Sequence, residues 1–180
     1  MNAITDKRTT KTGNETSTIT EMTLCGVFVA LVFLLTRYIQ VQIIPAKGGL
    51  VHLGNVPMFF AAALFGRKIG ALCGGLGMAL ADLLSAWTIY APATLIIVGI
   101  MGYVFGAIVR KKPSAFNLLV ATVTVLGIKL VGYYLFEIFL TASVTVPLAS
   151  IPGNTMQILT GAIIAVPIIL VSSKTITRMA

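Results

Sequence analysis

The chain has 180 residues, 57% of them hydrophobic and 10% charged, with a formal net charge of +8. Its mean hydropathy is +0.99, whereas a soluble domain carries about a quarter charged residues. That balance excludes an ordinary soluble globule, whose helices keep a polar face, and predicts an all-α integral membrane protein.

Residues 1–20 are rich in Thr, Lys and Asn and have no apolar core, so they read as a cytoplasmic N-terminal tail and not as a signal peptide. Residues 21–180 read as one six-helix membrane domain, with spans at about 22–44, 54–65, 69–87, 92–109, 116–140 and 156–172. Pro45 ends the first apolar run. The second is short for a full crossing and reaches back toward Leu50 only through glycines, in the stretch GGLVHLGN (Gly48 to Asn55). Gly66-Arg67-Lys68 forms a turn into the third, and Pro92 opens the fourth. Arg110-Lys111-Lys112-Pro113 closes the fourth, Lys129 and Glu137 fall inside the fifth, and a loop with Pro147, Pro152 and Asn154 precedes the sixth.

Basic residues sit on alternate connections. Lys7, Arg8 and Lys11 precede span one, Arg67 and Lys68 join spans two and three, Arg110 to Lys112 join four and five, and Lys174 and Arg178 follow six; the other loops hold only Lys47. Cationic loops stay inside, so both termini are expected in the cytoplasm and Gly48 to Asn55 outside. This accounts for most of the net charge, and the clusters lack the interleaved aromatics of a nucleic-acid surface.

The sequence contains no GxxxxGK[ST] loop, no HExxH and no GxSxG, so no phosphate cradle, zinc-protease helix or nucleophile elbow is expected. Its single histidine has no second His or Cys at ligand spacing, and no metal site is expected. Cys25 and Cys73 both lie in apolar runs, where free cysteine behaves as a small hydrophobe.

Charged groups inside spans are costly and face a bundle interior or a water-filled cavity. Arg37, Asp82, Lys129 and Glu137 qualify. Arg37 and Glu137 stand toward outer ends, where snorkelling is the alternative. Lys129 is mid-span, and an ion pair with Asp82 or with Glu137 is the structural reading, beside a functional one in which these groups address a polar solute. Trp87 and Tyr90 near the third loop read either as interfacial anchors or as cavity wall. Tyr133 lies four residues from both Lys129 and Glu137, so its ring is placed to meet a flat polar heteroaromatic solute. Small residues four apart (Gly26 and Ala30, Gly70 and Gly74, Gly102 and Gly106) allow close helix approach or a partner's helix.

The stretch VHLGNVPMFFAAALFGRKIGALCGGLGMALADLLSAWTIYAPATLIIVGIMGYVFGAI, Val51 to Ile108, resembles the substrate-binding S components of energy-coupling factor (ECF) vitamin transporters. It is similar to the group that pairs an HLGD-type motif with a LADLxSGYxxYAPATLIIKG-type motif. The resemblance implies a binding subunit in a bacterial plasma membrane that captures a vitamin or its precursor from outside. It also implies partners: a transmembrane T component and two cytoplasmic ATPases, which hydrolyse the ATP, so this chain would need no cofactor of its own. The loop Ile44 to Asn55 would close over the site, and Gly26 and Ala30 would dock the T component.

The departures are Asn55 for the motif's acid, Ser85-Ala86-Trp87 for SGY, and Val98 for the lysine of LIIKG. The expected solute wall comprises His52, Asn55, Asp82, Trp87, Tyr90, Lys129, Tyr133, Glu137 and Asn154, with a small pyrimidine or pyridine as solute. His52 reads either as a ligand-facing group or as a structural one bonding loop backbone. The rival function is a stand-alone carrier or channel that couples ions or protons through Asp82, Lys129 and Glu137; against it, the hydropathy shows no inverted halves.

Overall fold

The computed structural model describes residues 2–42, 50–110 and 113–179, with side chains over 19–41, 50–110 and 113–172. Six α-helices follow in order: α1 (Asn2–Arg37), α2 (Asn55–Phe65), α3 (Arg67–Leu83), α4 (Ala91–Val109), α5 (Ala115–Thr141) and α6 (Ile151–Met179). The expected tail, 1–20, falls on the first turns of α1, and the side chains of residues 1–18 lie outside the described residues.

Among the described residues, four stretches are long and apolar enough to cross a membrane: Ile19–Arg37, Thr88–Val109, Ala115–Thr141 and Val146–Ser172. α2 is apolar but has only 11 residues, and α3 has 17. The first helix stops at Arg37 instead of running to Ile44. Gln40–Gln42 (β1) instead pairs antiparallel with Leu50–His52 (β2), Gln40 opposite His52 and Gln42 opposite Leu50. Gln40-Val41-Gln42 alternates polar and apolar at the strand period, and Tyr38, Ile39 and Val41 are all exposed. The fold is thus helical with one short hairpin, and the tip of the expected closing loop, residues 43–49, lies outside the described residues.

Local chemistry explains the joints. Gly66 has φ +98°, and a side chain there would meet the Arg110 side chain at 2.8 Å, so only glycine turns α2 directly into α3. Pro92 sits in the first turn of α4, where a missing N–H costs nothing. Ser114 caps α5 by accepting the Asn117 N–H at 3.2 Å.

α3 is the axis of the packing because its glycines admit its neighbours. A Cβ on Gly70 would meet Ala62 at 2.5 Å and the Gly102 carbonyl at 2.8 Å, and one on Gly77 would meet Val32 at 2.6 Å. Met58, Phe59, Val98, Met101 and Phe105 fill the core between α2, α3 and α4, with the Phe59 and Phe105 rings stacked 4.4 Å apart. α5 buries one narrow stripe, Ala121, Val125, Lys129, Tyr133 and Glu137, spaced at the four-residue step that keeps to one helix face. Leu118 and Thr122 are buried beside it, and the opposite side carries exposed apolar residues such as Leu119, Val123, Val131, Leu135 and Phe139, the last 82% exposed. A greasy exterior around a stripe that includes charge is the pattern bilayer solvent imposes.

Candidate functional site

One end of the bundle holds a cavity of about 90 Å³. The last turn of α1, the hairpin, the end of α3, the start of α4, the second half of α5 and the start of α6 all contribute to it. Of the expected wall, His52, Asp82, Trp87, Tyr90, Tyr133, Glu137 and Asn154 line it. Arg37 also lines it, with Glu137.

Asn55 and Lys129 stand one layer behind. Gln157 connects both to the cavity: its side-chain oxygen accepts from Lys129 Nζ at 2.7 Å, and its backbone carbonyl accepts from Asn55 Nδ2 at 3.1 Å. Because an ammonium only donates, the amide oxygen must face Lys129, and Gln157 Nε2 is left to donate to the Leu50 carbonyl of β2. Lys129 therefore pairs with neither Asp82 nor Glu137. Its ammonium bonds to an uncharged amide and lies 5.4 Å from the Tyr133 ring centroid.

The two carboxylates are each held by a neutral hydroxyl. Thr94 donates to Asp82 Oδ2 at 2.6 Å and lies 2.9 Å from Tyr133 Oη. A threonine has one proton to give, so the direction runs from Tyr133 to Thr94 to Asp82. Ser150 donates to Glu137 Oε2 at 2.6 Å. The Tyr90 side chain also hydrogen-bonds Glu137, and each carboxylate still has lone pairs to offer an N–H donor.

The aromatic wall is set by the turn after α3. Ser85 Oγ donates to the Asp82 carbonyl at 2.9 Å and accepts the Trp87 N–H at 3.1 Å, and Tyr90 N donates to the Trp87 carbonyl at 2.8 Å. Trp87 then meets Tyr90 edge-on with centroids 5.5 Å apart, and Tyr90 lies 6.5 Å from Tyr133.

His52 has a defined role in the backbone: the Gly54 N–H donates to its Nδ1 at 3.2 Å. The neutral ring therefore carries its proton on Nε2. Burial, and then the charge of Lys129, push the imidazole down to about 3, so it is uncharged at working pH. His52 thus bonds loop backbone and also lines the cavity.

Sequence reasoning left out Thr36, Gln40, Leu50, Ser85, Thr94 and Gln157, which also line the cavity. Gln157 carried a readable signal, a lone amide in the apolar run 156–172, because an uncompensated amide in a span needs a partner. Thr36 and Thr94 carried none, since helical threonines ordinarily bond their own backbone. Gly26 and Ala30 are exposed on α1, away from the cavity lining, and a Cβ on Gly26 meets nothing within 4 Å.

Fold and cavity together define a multi-pass membrane protein with a small polar, aromatic-walled chamber at one end of a helical bundle. The sequence model of the ECF-type riboflavin transporter, S component, family matches residues 16–174, and the chain belongs to that family. It is a transporter component and not an enzyme. Over 117 residues the chain is 30% identical to the thiamine precursor transporter HmpT of Lactococcus lactis subsp. cremoris (strain MG1363), which covers 65% of this chain and 66% of that protein. Over 100 residues it is 33% identical to an uncharacterized protein in the gap 3' region of Pyrococcus woesei, covering 52% of this chain and 66% of that one. The chain thus spans 66% of the length of each of these relatives.

Proposed function

We propose that this chain is the solute-capturing subunit of an ATP-driven ECF importer in a bacterial plasma membrane, and that its solute is a small pyrimidine or pyridine, hydroxymethylpyrimidine first among them. The cavity carries this reading. Two carboxylates with free lone pairs suit the N–H donors of an amino substituent or of a protonated ring nitrogen, and Trp87, Tyr90 and Tyr133 suit a flat ring. A water takes roughly 10–15 Å³ on this scale, so about 90 Å³ accommodates one substituted ring more readily than the fused three-ring flavin in the family's name. The thiamine precursor named for the Lactococcus relative agrees with that size.

In this reading all six helices cross the membrane, with both termini inside. Arg67, Lys68 and Arg110 share a cleft formed by the turns opposite the cavity, and cationic turns face the cytoplasm, so the cavity opens outward. The T component would dock on α1 at Gly26 and Ala30, where a helix backbone can approach. Energy would come from two partner ATPases. An ion relay through Asp82, Lys129 and Glu137 draws no support from the contacts, since each bonds a different neutral side chain.

The test is uptake of labelled hydroxymethylpyrimidine by cells that express the chain with and without the T component and ATPases. Uptake that needs all of them and stops on ATP depletion is expected, and full uptake by the chain alone would overturn the assignment. Titration of the purified protein then checks the site: Glu137→Ala is expected to weaken binding at least about tenfold, near 1.4 kcal/mol. Unchanged affinity would remove α5 from it.

A further inference from the structure

The cavity lining divides by chemistry. α3 and α5 bring acceptors, Asp82 and Glu137, whereas the last turn of α1 and the hairpin bring Thr36, Arg37, Gln40 and His52. Arg37 offers five N–H donors and no acceptor. Its guanidinium lies 5.6 Å from the Tyr38 ring centroid, and no carboxylate forms an ion pair with it among the described residues. His52 accepts the Gly54 N–H on Nδ1, which leaves Nε2–H as a donor. Gln40 is its cross-strand partner.

Thr36 is the most informative of the four. It is 6% exposed, and its Oγ1 has no hydrogen-bond partner among the described residues, although an unmet buried hydroxyl costs on the order of 1–3 kcal/mol. The oxygen is pressed against Gly54, where a Cβ would collide with it. A helical threonine ordinarily turns its hydroxyl to a carbonyl of its own preceding turn; Thr36 does not, and its hydroxyl stays unmet beside the cavity that the residue lines.

We infer that this corner is a subsite for an oxygen-bearing substituent of the solute, a hydroxyl, carboxylate or phosphate held chiefly by Arg37 and Thr36 opposite in chemistry to the carboxylates that read its N–H edge. The inference rests on the reading of the cavity as the solute site and deepens it: the solute is a ring with an N–H edge and an oxygen substituent.

The experiment is titration calorimetry on the full-length protein in detergent with three probes: hydroxymethylpyrimidine, its phosphate ester, and the analogue with methyl in place of hydroxymethyl. Wild-type protein is expected to prefer an oxygenated probe about tenfold or more over the methyl analogue. Arg37→Gln and Thr36→Val are each expected to weaken that probe about tenfold and to hold the methyl analogue within about twofold. The retained methyl-analogue affinity shows that the variants fold. A larger loss for the ester in Arg37→Gln assigns an anion, and a larger loss for the alcohol in Thr36→Val assigns a neutral hydroxyl. Equal losses on all probes, or no loss on any, overturn the subsite.

Mass spectrometry of the compound released by denaturing the native protein separates the two claims. A non-pyrimidine ring with an oxygen substituent overturns the pyrimidine reading alone, and the two variants are then titrated with it. A compound with no acceptor oxygen overturns the subsite.

Discussion

Gln157→Leu tests the buried network most directly. Gln157 supplies the hydrogen bond to the fully buried Lys129 ammonium at 2.7 Å and ties the β2 backbone to the bundle through Leu50. A hydrogen bond to a charged group contributes about 1.5–3 kcal/mol, and removing one partner of a buried charge costs about 3–5 kcal/mol because the other is stranded. A loss of about 3 kcal/mol is therefore the lower expectation, equivalent to roughly 6–12 °C in Tm for a chain of this size. Lys129→Met strands only an amide oxygen and is expected to cost less, about 1–3 kcal/mol. In the double variant no charge is left alone, so Gln157→Leu/Lys129→Met is expected to recover at least about 2 kcal/mol relative to Gln157→Leu, a strong departure from additivity. Thermal unfolding in detergent, followed by circular dichroism, measures all three. Additive losses, or a Gln157→Leu variant as stable as the parent, would refute the claim that this amide carries the buried ammonium.

Two further outcomes follow from the geometry. Since folding lowers the His52 imidazole from its ordinary 6.5 to about 3, the folded and unfolded chains are both neutral there above pH 6.5. As pH falls below that value only the unfolded chain takes up the proton, so stability drops by up to about 1.4 kcal/mol per pH unit. Tm measured from pH 7 to 4.5 is expected to fall less steeply in His52→Gln than in the parent, and parallel slopes would remove the buried neutral imidazole. The Cys73 and Cys25 sulfurs lie 4.0 Å apart, one turn before Gly77 meets Val29 and Val32. Mild oxidation with a copper–phenanthroline reagent is expected to give an intramolecular disulfide, read as loss of two free thiols and two mass units; persistence of both thiols would contradict the α1–α3 register.

Much of this protein is legible in its sequence because bilayer solvent acts locally. Runs of apolar side chains, the one-sided placement of Arg67, Lys68 and Arg110, and the cost of Asp82, Lys129 and Glu137 inside such runs depend on neighbours along the chain, and so does the family motif from Val51 to Ile108. The end of α1 was less legible, because the helix yields to a strand at Gln40 whose partner lies beyond the turn. Pairing was not legible at all. Whether Lys129 met a carboxylate depended on which helices touch and at what register, and close approaches such as Gly132 of α5 against Ile97 and Gly161 of α6 against Asn55 belong to that packing. That packing brought Gln157 between Lys129 and Leu50, 107 residues away along the chain. It also gave Thr94 to Asp82 and Ser150 to Glu137, and turned Thr36 and Arg37 from the end of a span into part of a cavity wall. Sequence by itself determined the solvent the chain lives in and the polar groups it must hide. Only the tertiary structure decided which of those groups satisfy one another and which keep a lone pair or a proton for a solute, because hydrogen bonds are short-ranged and their partners come from different helices.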